Sequence, residues 1–425
     1  MEQTPKSNRV HIGFFGRCNA GKSTLINMLT DQPVSLVSEV AGTTTDPISK
    51  SMEILPLGPV VITDTAGIDD TSELGALRIE KSEEIIKKIN LAVYVLRNDE
   101  APTADDMIWL NTLKQNNVPI ALFINEINAS DSESAHDNDS NGNDTNLNYV
   151  DAYPDLLAIA TVVGSTDFTS NRDRLTLLDL LGGLTPLDVE GEQSLLQGLV
   201  DPGDTIILVC PIDSAAPKGR LILPQVQTIR EILDHKGLAL VCQTEELPTM
   251  LNKLSQKPKL VITDSQAFEA VNALTPADIP LTSFSILMAR FKGKLQDLVT
   301  GVKALNNLKP GARVLISEGC THRRQCDDIG TVKIPMWLKK KGHTDLQLEF
   351  TSGGAFPKDV SGYDLIIHCG ACMLTRREVL RRIDCAVVQG TPIVNYGVLI
   401  ASLHGILERA ISPFMDELDR KGFEC

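Results

Sequence analysis

The chain has 425 residues, 42% of them hydrophobic, with a formal net charge of -15, enough for about three domains at roughly 150 residues each. Such an acid excess argues against a generic nucleic-acid coat, because phosphate contacts need concentrated positive charge. Nine cysteines, an odd number, and no apolar signal-type stretch within Met1 to Val10 point to a reducing cytoplasm rather than a secreted disulfide framework, and no run of about 18 apolar residues predicts a membrane span.

In chain order, Val10 onward reads as strand, glycine-rich turn and helix (Lys22 to Leu29). A polar stretch follows, then a strand ending at Val60 to Thr63 and a helix near Ile79 to Lys88. Leu91 to Leu96 and Pro119 to Ile124 are short β-branched runs expected as buried strands, with a helix from Asp105 to Gln115 between them and a closing strand at Ala158 to Val163. This alternation predicts a parallel α/β sheet over residues 8–185. Within it, residues 128–148 are dominated by Asp, Asn, Ser, Gly and Thr and read as a disordered acidic insertion. No Lys or Arg occurs between Lys114 and Arg172, whereas nine acids do.

Leu184 to Asp204, with Pro186, Pro202 and Gly203, reads as a linker. A second, smaller α/β unit is expected over 195–280, with strands Thr205 to Cys210, Leu238 to Cys242 and Leu260 to Thr263, and helices near Gln225 to Asp234, Glu245 to Leu254 and Ser265 to Ala273. It shows no nucleophile constellation or phosphate loop, so a structural or oligomerising role is expected. A third unit, over 285–425, combines a helical stretch to Leu308 with strands Ala312 to Ser317, Leu346 to Phe350, Asp364 to Ile367 and Ile393 to Asn395. Helices follow at Thr375 to Asp384 and from Gly397. From Asn306 to the end the charge is net +2, so the acid lies elsewhere.

Gly16-Arg17-Cys18-Asn19-Ala20-Gly21-Lys22-Ser23 fits G-x-x-x-x-G-K-[ST], after an apolar strand and opening a helix, the context that separates a phosphate loop from a plain glycine turn. Its glycines let backbone N–H groups curl around phosphates, Lys22 reaches toward the β and γ phosphates, and Ser23 is the expected Mg²⁺ ligand, with Ala20 and Thr24 completing the cradle. Asp64-Thr65-Ala66-Gly67 ends the next suitable strand. It offers a carboxylate on the magnesium side and, in Gly67, an N–H for the γ-phosphate. Gly42-Thr43-Thr44-Thr45-Asp46 lies between them, where a switch segment belongs.

These residues resemble those of Era/TrmE-type translation-factor GTPases. The resemblance implies that GTP or GDP binds here, that Thr44 joins Ser23 on Mg²⁺, and that Asn19 helps hold a K⁺ ion in place of an arginine finger. Ile68 stands where many small GTPases carry glutamine, so a side-chain amide does not position water there. The base-recognition element departs from the family: Asn125-Glu126-Ile127-Asn128 replaces Asn-Lys-x-Asp. Asn128 presents an amine where guanine needs a second acceptor, a mismatch worth about 1–3 kcal/mol, and relaxed guanine selectivity is expected. Gly164-Ser165-Thr166 is the expected third base-side loop.

Cys320-Thr321-His322 and His368-Cys369-Gly370-Ala371-Cys372 both follow apolar strands of the third unit, whose carboxyl ends share one crevice in an open α/β sheet. Three cysteines and one or two histidines suit either a closed structural zinc site or a 4Fe-4S cluster with one iron exchangeable. Cys326 is a spare ligand candidate. Arg323, Arg324, Arg376, Arg377, Arg381 and Arg382 could screen an anionic group or form a solvated face. Cys210, Cys242 and Cys385 read as inert packing.

Taken together, a Gly-Thr-Thr-x-Asp GTPase, a middle α/β unit and a Cys-x-His…His-Cys-x-x-Cys domain resemble the HydF family of FeFe-hydrogenase maturation GTPases over nearly the whole chain. The resemblance implies three consecutive α/β domains: a P-loop GTPase, a dimerisation domain, and a Rossmann-like domain holding a 4Fe-4S cluster on Cys320, Cys369 and Cys372, with His322 or His368 as further ligand. It also implies a K⁺-stimulated, Mg²⁺-dependent GTPase that self-associates and carries a transient diiron precursor. Two radical-SAM maturases and apo FeFe-hydrogenase are the implied partners. The rival is a tRNA-modification or ribosome-assembly GTPase with a zinc-stabilised RNA-binding domain, against which the charge and the lack of aromatic basic stripes both weigh.

Overall fold

The computed structural model describes residues 6–30, 48–54, 57–64, 85–126, 153–166, 171–184, 194–212, 221–319 and 328–419. The chain divides into two compact units, Met1–Glu190 and Gly191–Cys425. No helix among the described residues is long and apolar enough to cross a membrane.

The first unit is built on a six-stranded sheet in the order β2-β3-β1-β4-β5-β6. Its strands are β1 (Val10–Phe15), β2 (Ile48–Ile54), β3 (Gly58–Asp64), β4 (Leu91–Arg97), β5 (Ile120–Asn125) and β6 (Val162–Thr166). β4 and β5 are continuous apolar runs because helices cover both faces of a central parallel strand. Helix Ala104–Gln115 starts on a capping box, Thr103 accepting from the Asp106 N–H while the Asp106 carboxylate accepts from the Thr103 N–H.

Two strands differ from the sequence reading. The sheet is mixed: β2 runs antiparallel to β3, Ile48 opposite Asp64 and Ile54 opposite Gly58. Three residues separate the two strands, too few for the crossover that a parallel pair requires. The closing strand begins at Val162 rather than Ala158, because Pro154–Leu157 forms a short helix, with Ala158 N–H on Pro154 O at 3.0 Å, that takes up the apolar Leu156. Of the helix expected at Ile79 to Lys88, residues 85–88 are described as helical. The acidic insertion at 128–148 lies outside the described residues.

The second unit holds two four-stranded parallel sheets. One, β10-β9-β7-β8, uses β7 (Thr205–Val209), β8 (Leu238–Cys242), β9 (Leu260–Thr263) and β10 (Leu281–Ser283). The other, β12-β11-β13-β14, uses β11 (Arg313–Glu318), β12 (Gln347–Ser352), β13 (Leu365–His368) and β14 (Ile393–Asn395). Their apolar faces share one continuous core running from Leu195 to Leu418. The helical stretch before β11 is two helices, Phe284–Lys292 and Leu295–Leu305. They part at Gly293, where a Cβ would stand 2.8 Å from the Ala289 carbonyl oxygen.

Part of the expected linker is packed structure. Leu195 and Leu196 are buried, and the Glu231 carboxylate accepts from their N–H groups at 2.7 and 2.8 Å and from the Ser194 hydroxyl at 2.7 Å. The Pro and Gly content pointed to a linker, but the apolar run Leu195, Leu196, Leu199 and Val200 outweighs it. A helical segment at Ile329–Lys333 and Ile334–Lys340 was not anticipated.

Candidate functional site

The nucleotide site grows from the end of β1. Gly16 adopts φ +133, and a Cβ there would meet the Val95 carbonyl oxygen at 2.4 Å, so the turn tolerates only glycine. Asn19 sits at φ 60, exposed at the tip of the loop, while Ala20 is buried. Lys22 opens the helix Lys22–Thr30 and folds back over the loop, its Nζ donating to Gly16 O at 2.8 Å and Arg17 O at 2.6 Å. Those are positions from which an ammonium can turn toward phosphate oxygens. Ser23 and Thr24 are exposed in the first helical turn.

Asp64 ends β3. Burial lifts its carboxyl above the ordinary range and Lys22 pulls it back only in part. Its Oδ1 is buried and has no hydrogen-bond partner among the described residues. An orphaned carboxylate oxygen beside the phosphate-loop lysine fits a divalent cation. Asn125 donates from Nδ2 to Ala20 O at 3.1 Å, so the first residue of the base element also braces the phosphate loop. A second brace went unread in the sequence: Arg17 bonds Ala101 O at 3.1 Å and pairs with Glu100 at 2.8 Å and with fully buried Asp106 at 3.4 Å. Ser165 lies on β6. Thr43, Thr44, Thr65, Ala66, Gly67 and Asn128 lie outside the described residues.

The cysteine site forms where β11 and β13 end side by side, at the point where the strand order reverses and a crevice opens. Cys369 Sγ accepts from the Gly319 N–H at 3.0 Å and the Ala371 N–H at 3.3 Å. Burial pushes its thiol up to about 11 against those two donors. Cys372 is raised as well, by burial, with Lys292 opposing. Amide donors aimed at a sulfur suit a thiolate that ligates metal, and Ala371 holds the turn at φ 55. Cys320, His322 and Cys326 lie outside the described residues, and among the described residues no three metal-ligating side chains converge.

His368 is fully engaged. Its Nδ1–H donates to Cys369 O at 2.9 Å and its Nε2 accepts from Arg382 Nη1 at 3.2 Å. Burial, followed by the Arg382 charge, pushes it down to about 4. In this arrangement it orients the Cys369 backbone. Arg382 is 0% exposed and is held by Glu378 at 2.7 Å and Gly353 O at 2.7 Å. Arg381 binds the same carboxylate through 2.7 and 2.9 Å bonds. This pair, open in the sequence between screening charges and a solvated face, is therefore committed to an internal carboxylate.

A strand-loop-helix phosphate cradle with a buried lysine, facing a carboxylate at the end of the neighbouring strand, defines a P-loop nucleotide-binding domain. Residues 11–126 match the family model of the 50S ribosome-binding GTPase. Residues 195–293 match the hydrogen maturase F dimerization domain and residues 296–413 its tetramerization domain. The chain belongs to the hydrogen maturase F family.

Curated relatives match the GTPase part. The tRNA modification GTPase MnmE of Heliobacterium modesticaldum is 36% identical over 112 residues, 26% of this chain and 23% of that protein. The MnmE of Staphylococcus epidermidis is 33% identical over 108 residues, 25% of this chain and 23% of that protein. The chain thus spans about a quarter of the length of these relatives. Among solved structures, Aquifex aeolicus Era bound to GDP and aluminium fluoride covers 58% of this chain and 98% of its own, at 19% identity and TM-score 0.32.

Proposed function

We propose that the chain is a GTP-hydrolysing FeFe-hydrogenase maturation factor that holds a 4Fe-4S cluster and carries a diiron precursor to apo-hydrogenase. The observation that carries the reading is one chain joining the Lys22 and Asp64 nucleotide site to both hydrogen maturase F association domains. The MnmE likeness falls within the GTPase part, so nothing favours extending a tRNA-modification role to the remainder of the chain.

In the nucleotide domain, taken as 8–185, Lys22 leaves the Gly16 and Arg17 carbonyls for the β and γ phosphates. Ser23, Thr44 and the orphaned side of Asp64 hold Mg²⁺, and Asn19 holds K⁺. Thr43, Thr65, Ala66 and Gly67 complete the phosphate shell, with Asn125, Asn128 and Ser165 at the base. A middle domain at 195–280 drives self-association. A third, at 285–425, binds the cluster through Cys320, Cys369 and Cys372, with His322 or His368 adjacent. The donor set fits the group: sulfur ligands with amide N–H donors at a strand-end crevice. When bound, a cluster with an exchangeable iron supplies an attachment point for an anionic metal precursor. The chain's own residues shape the turn, balance charge and limit water.

The partners are two radical-SAM maturases and the apo-hydrogenase in the cytoplasm, and hydrolysis governs their exchange through ordering of the 42–46 and 67–78 segments. The test uses Lys22→Ala. It should bind fluorescent GDP weakly, release no phosphate from GTP in K⁺ buffer, and mature apo-hydrogenase poorly in a reconstituted assay. Full maturation by that variant, or equal GTP turnover of the parent protein in K⁺ and Na⁺, contradicts the proposal.

A further inference from the structure

Lys292 is the last residue of the helix Phe284–Lys292 and is 2% exposed. Its Nζ donates to Leu374 O at 2.8 Å, Cys372 O at 3.1 Å and Ala371 O at 3.4 Å. An ammonium has three donors, so all of them are spent on one turn, the turn that presents Cys369 and Cys372. The same helix holds that region twice more: Arg376 Nε donates to Phe291 O at 3.2 Å, and Asn395 Nδ2 to Ser285 O at 2.9 Å.

The charge is the anomaly. Arg382, equally buried, has the Glu378 carboxylate. Lys292 has three neutral carbonyls, and no carboxylate among the described residues forms an ion pair with it. Burying a cation without a counter-charge is among the costliest arrangements in a protein interior, and it is retained where an anion completes the site. The negative end of its own helix meets part of the demand. Among the described residues, the ionisable groups near enough to act on its charge are the thiols of Cys372 and Cys369. As neutral thiols these would leave the ammonium uncompensated, whereas as metal-bound thiolates they make the pocket anionic.

We propose that Lys292 is a positioning residue and the counter-charge of the metal group bound by Cys369 and Cys372, an inference resting on the cluster reading above. It pins the turn through three carbonyls and stabilises the more negative, reduced state of the bound cluster. Lys292 falls within the span matching the dimerization model, 195–293, and the cysteines within that matching the tetramerization model, 296–413. The contact therefore joins the segments that the two association-domain models match.

The experiment compares full-length protein with Lys292→Met, Lys292→Gln and Lys292→Arg, each reconstituted anaerobically with iron and sulfide. Bound iron and sulfide are measured per chain, and the reduction potential by EPR-monitored titration. Removing the positive charge should lower the equilibrium constant for reduction about tenfold or more, a shift of about 59 mV for one electron toward negative potential. Lys292→Arg should return most of it. Lys292→Gln keeps length and a donor without charge, and replaces Lys292→Met where circular dichroism shows that the latter does not fold. A cluster-loaded Gln or Met variant with the parent potential overturns the counter-charge. Equal loss of iron in all three variants does too, marking a structural strut only. Iron lost in Met or Gln but kept in Arg supports it. Parent protein that takes up no iron overturns the cluster reading itself, and the counter-charge with it.

Discussion

Replacing Glu378 by Gln removes one negative charge from the Arg381, Arg382 and His368 network without changing its shape. Glu378 is 6% exposed and Arg382 0%, and the Glu378 Oε1 to Arg382 Nε distance is 2.7 Å. Breaking a buried pair by neutralising one partner costs about 3–5 kcal/mol, because the remaining charge stays buried. Arg382 keeps Gly353 O at 2.7 Å and His368 Nε2 at 3.2 Å, which places the cost near the lower limit, about 3 kcal/mol. At a urea slope of about 3 kcal/mol/M, the midpoint should fall by about 1 M. The two tryptophans fall one in each unit, Trp109 and Trp337. In a Trp109→Phe background, Trp337 fluorescence therefore follows the second unit alone. The exposed pair Lys257 and Asp278 is the control, and Asp278→Asn should leave the midpoint in place. A Glu378→Gln midpoint within about 0.2 M of the parent would refute the reasoning.

The same carboxylate predicts an acid limb. Burial would raise Glu378, but Arg381 and Arg382 outweigh it and hold it below the ordinary glutamate value. Its stabilising contribution is therefore present above that ordinary value and lost as pH falls through the folded one, and Glu378→Gln should flatten acid unfolding below pH 4.5, the ordinary glutamate value. Gly16→Ala combines a strained φ, worth about 1–3 kcal/mol, with a 2.4 Å approach to Val95 O. Fluorescent-GDP titration should show at least a tenfold loss of affinity, and unchanged binding would mean that the loop does not hold this shape with nucleotide. Asn128→Asp restores the second acceptor for guanine and should raise GTP preference over ITP and XTP by about tenfold or more. A parent protein already favouring GTP by several orders of magnitude would contradict the relaxed selectivity.

The phosphate loop was legible because eight adjacent residues carry the whole device, and the Cys369-x-x-Cys372 turn because its spacing is local. Strand positions were legible as apolar runs separated by helical patterns, as in β4 and β5. What escaped notice depends on distant backbone. Lys292 reaches carbonyls 79 to 82 residues away, and a carbonyl has no side-chain signature. β2 escaped because its alternation is interrupted by Lys50. His368 read as a ligand by its place beside Cys369, yet its partner Arg382, one helix away, decides what its ring nitrogens do. Arg17 occupies an unspecified position of the phosphate-loop pattern, yet it ties the loop to Glu100 and Asp106, both more than 80 residues away.

The central claim is that one chain joins a nucleotide site to an iron-sulfur site. The most direct measurement is EPR and iron analysis of anaerobically purified full-length protein, before and after Cys372→Ala. A protein carrying the cluster is brown, holds about four irons per chain, and gives a reduced-cluster signal that the variant loses or alters. A colourless protein holding one zinc, unchanged by the substitution, would contradict it.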